Sequence, residues 1–178
     1  LPHMSSYWFT YLWMPKYLYD SLGFSMARSG AWILVAQAGG LLGYLTFGLL
    51  ADGKGRRLAY SLYSFVWAAG LLSVTWFWPT IASIPSLALA SMFLIGVGTG
   101  NFSGYGPILA ELFPTSIRNT AMGTAYNLAR GIQFVTPLII TWVASTTAGP
   151  PERGLGLGIS IGAFFAIATG LWVWMLPE

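Results

Sequence analysis

Asn127, Arg130 and Gln133, spaced three apart, are the side chains that first point to chemistry in this sequence. On an α-helix they share one side. A guanidinium between two amides is a forked donor set suited to a carboxylate. The same residues also serve packing, as an arginine bonded to carbonyls and to Gln or Asn side chains. If the helix begins near Asn119, Arg130 lies about 16 Å along it at ~1.5 Å per residue, near a bilayer midplane. An arginine there costs roughly 2.5–3.5 kcal/mol on insertion scales, so it must face protein, water or an anion. Gln37, Asn101, Tyr7 and Tyr11 are further cavity candidates. Gln37 and Asn101 are also suited to joining helices, and the two tyrosines, four apart, share a face.

Asp52, Gly53, Lys54, Gly55, Arg56 and Arg57 form a short charged hinge after an apolar run. Gly53 and Gly55 tolerate positive φ, and Asp52 is placed to accept hydrogen bonds from an arginine or a helix N-terminus. A plain surface turn carrying topogenic charge has the same composition. Glu111, Pro114 and Arg118 form a second such loop, in which Pro114 ends one helix or starts the next and Thr115 or Ser116 is positioned to cap it.

Other chemistries lack their residues. There is no cysteine, and His3, the single histidine, reads as part of a terminal tetrapeptide. No metal site, cofactor site or nucleophile–histidine pair is expected, so no enzyme. The glycines of 96–106 lack nucleotide-loop spacing and follow no strand. Gly39/Gly43 and Gly96/Gly100 instead make GxxxG faces for helix packing.

These groups need a membrane to position them. Of 178 residues, 56% are hydrophobic and 7% charged, and mean hydropathy is +0.66. A soluble domain carries about 25% charged residues. Eight basic against five acidic residues, with no basic run, exclude a nucleic-acid partner. Windows of about 20 apolar residues place spans near 4–22, 29–51, 58–78, 84–112, 118–146 and 155–176. Pro15 predicts a kink in the first span, and Lys16 and Asp20 an i,i+4 pair. The fold class is therefore all-α, a polytopic protein of six transmembrane helices in one domain, 1–178. Lys54, Arg56, Arg57 and Arg118 put their loops and both termini in the cytoplasm by the positive-inside rule. An offset of 92 places Pro15 on Pro107, Gly39 on Gly131 and 58–78 on 150–170. Three helices being odd, this predicts an inverted three-plus-three repeat.

Gly48, Asp52, Gly55, Arg56 and Arg57 resemble the signature loop of the major facilitator superfamily, with Gly53 where that pattern has a basic residue. The Glu111–Pro114–Arg118 loop resembles that of sugar-porter-like and organic-anion branches, and 123–131 resembles its second-half continuation. The resemblance spans essentially the whole chain and implies the carboxy-terminal half of a twelve-helix carrier in the bacterial inner membrane. It implies alternating access for a small organic anion, such as a sugar acid or an aromatic carboxylate. A neutral sugar, or a stand-alone six-helix protein dimerising into a channel or scaffold, are the alternatives. Expected partners are the solute, the bilayer and an amino-terminal half. Arg130 would meet either a solute anion or a carboxylate of that half. Proton symport is also implied; with no acid at the midplane here, its coupling group is expected in the other half. Asp52, Arg56, Arg57, Glu111 and Arg118 are expected to cluster as a cytoplasmic gate.

Overall fold

The computed structural model describes residues 2–81, 83–148 and 151–176, and its regular structure is entirely helical among them. The first expected span is broken into α1 (Pro2–Tyr11), α2 (Met14–Lys16) and a π-helical turn, Tyr17–Ser21. Pro15 explains the break. It has no N–H for the carbonyl of Tyr11, four residues back, and its ring would strike that carbonyl. Lys16 and Asp20 form the expected exposed ion pair beyond it.

The other spans are long helices. Segment α3 (Met26–Lys54) is capped by Ser25, whose hydroxyl accepts from the Arg28 N–H at 3.2 Å. It stops at Gly55, whose φ of +95° suits glycine alone. Then follow α4 (Arg56–Thr75), the short α5 (Trp78–Ile81) and α6 (Pro85–Gly98). A 3₁₀ segment, Thr99–Gly104, joins α6 to α7 (Tyr105–Leu112). Helix α8 (Arg118–Gly131) passes through Ile132–Phe134, again 3₁₀, into α9 (Val135–Thr146). Pro107 and Pro137 each remove a bond to the carbonyl four residues back, at Ser103 and Gln133, and so loosen these two joints. Last is α10 (Pro151–Trp172) with a 3₁₀ end, Val173–Met175.

Among the described residues, five segments are long and apolar enough to cross a membrane: Met26–Lys54, Arg56–Thr75, Pro85–Leu112, Arg118–Thr146 and Arg153–Met175. Each lies on an expected span, while the first span falls outside this set because of its break. The offset of 92 carries Met26–Lys54 onto Arg118–Thr146, both 29 residues long. It also carries the break at Leu12–Trp13 onto the joint between Gly104 and Tyr105. Pro150, where the expected third-span match begins, lies outside the described residues.

Packing is carried by a large apolar cluster and a smaller one. Phe9, Met14, Trp67, Leu71, Met92, Ile95, Ile140 and Ile159 belong to the first, and Phe47, Ala59, Tyr60, Tyr63 and Val173 to the second. Helices α3 and α6 touch backbone to backbone. A Cβ on Gly39 would overlap the Phe93 carbonyl, and one on Gly96 the carbonyl of Ala36. This is the close approach that the paired GxxxG faces predict. Large apolar side chains such as Leu34, Leu49, Phe134, Trp142 and Phe164 point outward, as lipid-facing or partner-facing surfaces do.

Candidate functional site

Arg130 lies on α8 one turn after Tyr126. Together with Tyr7 and Trp8 of α1, Tyr44 of α3, Phe102 of the 3₁₀ joint and Met4, they line a cavity of about 240 Å³. Arg130 is the single charged group among the described residues that line it. Drug-sized ligands occupy about 300–1,000 Å³, so this space fits a small solute or one wall of a larger site. Tyr7 and Tyr11 are in contact, with ring centroids 4.9 Å apart, and the Tyr7 ring meets Phe102 edge-on at 5.5 Å. An arginine set among aromatic rings offers a carboxylate a forked donor and an unsaturated chain flat surfaces.

The structure separates the other expected contacts from this cavity. Gln133 does not share a face with Arg130. It is buried, and its Nε2 donates to Ser5 Oγ at 3.2 Å and to the Ala129 carbonyl at 3.0 Å. Three-residue steps drift backwards by about 60° around a helix of 3.6 residues per turn, and the 3₁₀ joint adds to the divergence. Asn127 is exposed and donates to the Gly123 carbonyl of its own helix at 2.8 Å. Gln37 is exposed on α3, two turns from Tyr44. Tyr11 packs against the main apolar cluster and does not line the cavity.

Asn101 is fully buried and joins helices. Its Nδ2 donates to Ser64 Oγ at 3.1 Å, and its Oδ1 accepts from His3 Nε2 at 2.8 Å. His3, expected in a terminal tail, is instead 5% exposed within α1. Its ring packs on Phe102 and Tyr105, with centroids 4.0 and 5.5 Å away.

At one end of the bundle, Lys54, Gly55, Arg56, Arg57 and Glu111 surround a cavity of about 750 Å³ with Ile108, Leu112, Val173 and Leu176. Arg56 forms an ion pair with Glu111, and Arg57 donates to the Leu176 carbonyl. Two members of the expected cluster stand apart. Asp52 is exposed with no hydrogen bond or ion pair among the described residues. The Nε of Arg118 donates at 3.2 Å to the Phe113 carbonyl of its own loop. Neither Thr115 nor Ser116 caps α8. The cap position falls on Ile117, whose N–H instead closes a turn onto the Pro114 carbonyl at 3.2 Å, because Pro114 starts a tight turn rather than a helix.

Tyr44, Phe102, Tyr126, Trp8, Met4 and His3 were not singled out from the sequence as site residues. Tyr126 was within reach, four residues before Arg130 on the same face. The others come from separate helices, and nothing in their spacing announces the meeting.

Long apolar helices of this kind are those of a multi-pass membrane protein. The chain belongs to the sugar (and other) transporter family of the major facilitator superfamily, whose family model matches residues 3–178. That match takes in His3 and all five long helices. A putative metabolite transport protein of Haemophilus influenzae is 31% identical over 129 residues, 72% of this chain and 31% of that protein. The cis,cis-muconate transport protein of Acinetobacter baylyi is 32% identical over 86% of this chain and 35% of its own length. A probable 4-methylmuconolactone transporter of Cupriavidus pinatubonensis is 30% identical over 82% and 32%. The chain thus matches about a third of each relative's length. No solved structure matches it.

Proposed function

We propose that this chain is the carboxy-terminal six-helix half of a secondary carrier that moves a small organic anion by alternating access. Arg130, the lone charge among the described residues of an aromatic-lined cavity, is the observation that carries the reading. An unpaired intramembrane arginine calls for an anion, and the planar rings around it favour a conjugated or cyclic carboxylate. The names of the muconate and methylmuconolactone relatives agree with that chemistry. The 92-residue correspondence of helix ends and breaks supports an inverted repeat, with the site between repeats. Charge placement supports cytoplasmic termini in a bacterial inner membrane. On this reading Arg56, Glu111 and Arg57 form the cytoplasmic latch.

The test is uptake of labelled cis,cis-muconate by the full-length carrier and its Arg130→Ala and Arg130→Lys variants. Loss of a charge-assisted bond of about 1.5–3 kcal/mol predicts a rise in KM of roughly 10- to 100-fold for Ala. Lys recovers part of it, because it lacks the fork. Uptake of glucose in place of muconate, indifferent to both substitutions, would replace the anion reading with a neutral sugar.

A further inference from the structure

We infer that this chain holds an anionic phospholipid as a ligand, its phosphate among Lys54, Arg56 and Arg57 and one acyl chain in a crevice between α7, α8 and α10. The parts of the site meet at one end of the bundle. Lys54 closes α3, Arg56 and Arg57 open α4, Leu112 ends α7, and Val173 and Leu176 follow α10. The cavity of about 750 Å³ at that end presents three cations and one carboxylate among the described residues that line it. Glu111 is engaged by Arg56. Lys54 is exposed, with no hydrogen bond or ion pair among the described residues. A free phosphate matches these cations but leaves the apolar walls, Ile108, Leu112, Val173 and Leu176, without a partner.

Three of those walls, Ile108, Leu112 and Val173, also bound a second cavity of about 290 Å³. Its lining adds Leu109 of α7, Ala125 and Leu128 of α8 and Trp172 of α10, and no lysine, arginine or acid lines it among the described residues. It lies deeper than the first. Tyr60, one turn or about 5.4 Å along α4 from Arg56, borders only this second cavity. From the loops inward the groups therefore run from cations to mixed walls to an apolar crevice. That is the order of phosphate, glycerol backbone and acyl chain in one leaflet. Trp172, 47% exposed at the end of α10, marks the same level, because tryptophan favours the headgroup interface.

The crevice opens away from the solute cavity. Tyr126 and Arg130 face that cavity. Leu128, two residues beyond Tyr126 and so about 200° around α8, borders the crevice and is 63% exposed. An amino-terminal half that meets this chain across the solute cavity leaves the crevice to the bilayer. Water finds few of the two to four polar partners it needs there, whereas hydrocarbon wets every apolar wall. The cations then select the headgroup. Each lysine or arginine near an anionic lipid surface is worth about fivefold in affinity. The bound lipid ties the α3–α4 hinge to the ends of α7 and α10, and its acyl chain fills the gap beside α8.

Photolabelling of the full-length carrier in detergent tests the site, with phosphatidylglycerol or phosphatidylcholine carrying a diazirine within one acyl chain. Phosphatidylglycerol is expected to label Leu109, Ala125 or Leu128 about tenfold more than phosphatidylcholine does. Lys54→Gln/Arg56→Gln reduces that preference to about twofold or less, and Ala125→Trp, which fills the crevice, removes the label there. Unlabelled phosphatidylglycerol competes, and inorganic phosphate at the same concentration does not. Competition by phosphate means a free-anion site and overturns the lipid assignment. Label shared equally by the two lipids and spread over outward residues such as Phe134 and Trp142 overturns it too. So do crosslinks that join the crevice to the amino-terminal half in place of lipid. Should the variants not fold, the comparison of the two lipids on wild type decides. No solute is present, so a carrier of neutral sugar leaves this inference standing, and a failed lipid site leaves the anion reading untouched.

Discussion

Arg56 and Glu111, 55 residues apart in the chain, form an ion pair between the first turn of α4 and the end of α7. The pair bridges two loops that neither helix could hold together alone. Both side chains remain open to solvent, 40% and 62% exposed, which limits the pair to about 0–1 kcal/mol.

Breaking it should therefore shift a conformational balance without unfolding the protein. Glu111→Gln in the full-length carrier is expected to raise the population open at that end by up to about fivefold. The effect should shrink in high salt, and an Arg56→Glu/Glu111→Arg exchange should restore the balance. Distances between spin labels across the loops measure it. Asp52→Asn should lower the maximal transport rate more than the affinity, through contacts made in another state of the cycle. An unchanged maximal rate at equal expression would remove Asp52 from the latch.

The α3–α6 crossing makes a sharper demand. Gly96→Ala forces a methyl onto the Ala36 carbonyl, and overpacking of this kind costs about 1–3 kcal/mol. Gly30→Ala, on the same helix α3 with nothing near its Cβ position, should instead gain about 0.5–1 kcal/mol in helix preference. Thermal unfolding of the pair in detergent should move in opposite directions.

Thr10 tests the buried hydrogen bonding of the core. Its hydroxyl accepts from the Trp67 indole N–H at 3.2 Å and donates to the Ser6 carbonyl at 2.7 Å. Thr10→Val keeps the shape but strands the indole N–H, at a cost of about 1–3 kcal/mol. Combining it with Trp67→Phe, which removes the donor, should cost less than the two single changes added. An additive pair in the melting curves would mean that the bond contributes nothing.

The aromatic wall of the site should discriminate among solutes. Tyr126→Ala removes one ring beside Arg130, and stacking of this kind is worth about 0.5–1.5 kcal/mol. Uptake of cis,cis-muconate should weaken by roughly 2- to 12-fold in KM, while acetate, with no flat chain to stack, should be transported unchanged. Equal losses for both solutes would indicate general damage to the cavity.

The helices were legible because their signal is local. Apolar windows and charged edges located Met26–Lys54 and its successors to within a few residues, and Pro15 announced the break in the first span. Arg130 and Tyr7, which line one cavity, were legible as candidates because a charge within an apolar stretch and an aromatic face stand out in one dimension. The partners of Arg130 were not. Tyr44 and Phe102 reach it only after α3 crosses the 3₁₀ joint, a consequence of glycine contacts that spacing alone does not orient. Gln133 misled for a related reason. Its three-residue spacing looked aligned, yet the drift of the helix and the loosened turn before Pro137 carried it inward to Ser5. His3 was misread because its neighbours, Asn101 and Phe102, lie nearly a hundred residues away.

At the α3–α6 crossing no layer of side chains separates the two backbones, so there are no rotamers there to rearrange. The contact runs from Ala36 to Gly43 on one helix and from Phe93 to Gly100 on the other, so the two backbones form one stiff unit. Movement elsewhere must then be taken up where the hydrogen-bond ladder is already relaxed, at Thr99–Gly104 and Ile132–Phe134. Phe102 sits within the first of these joints and Arg130 two residues before the second. A solute resting between them would press on both levers at once.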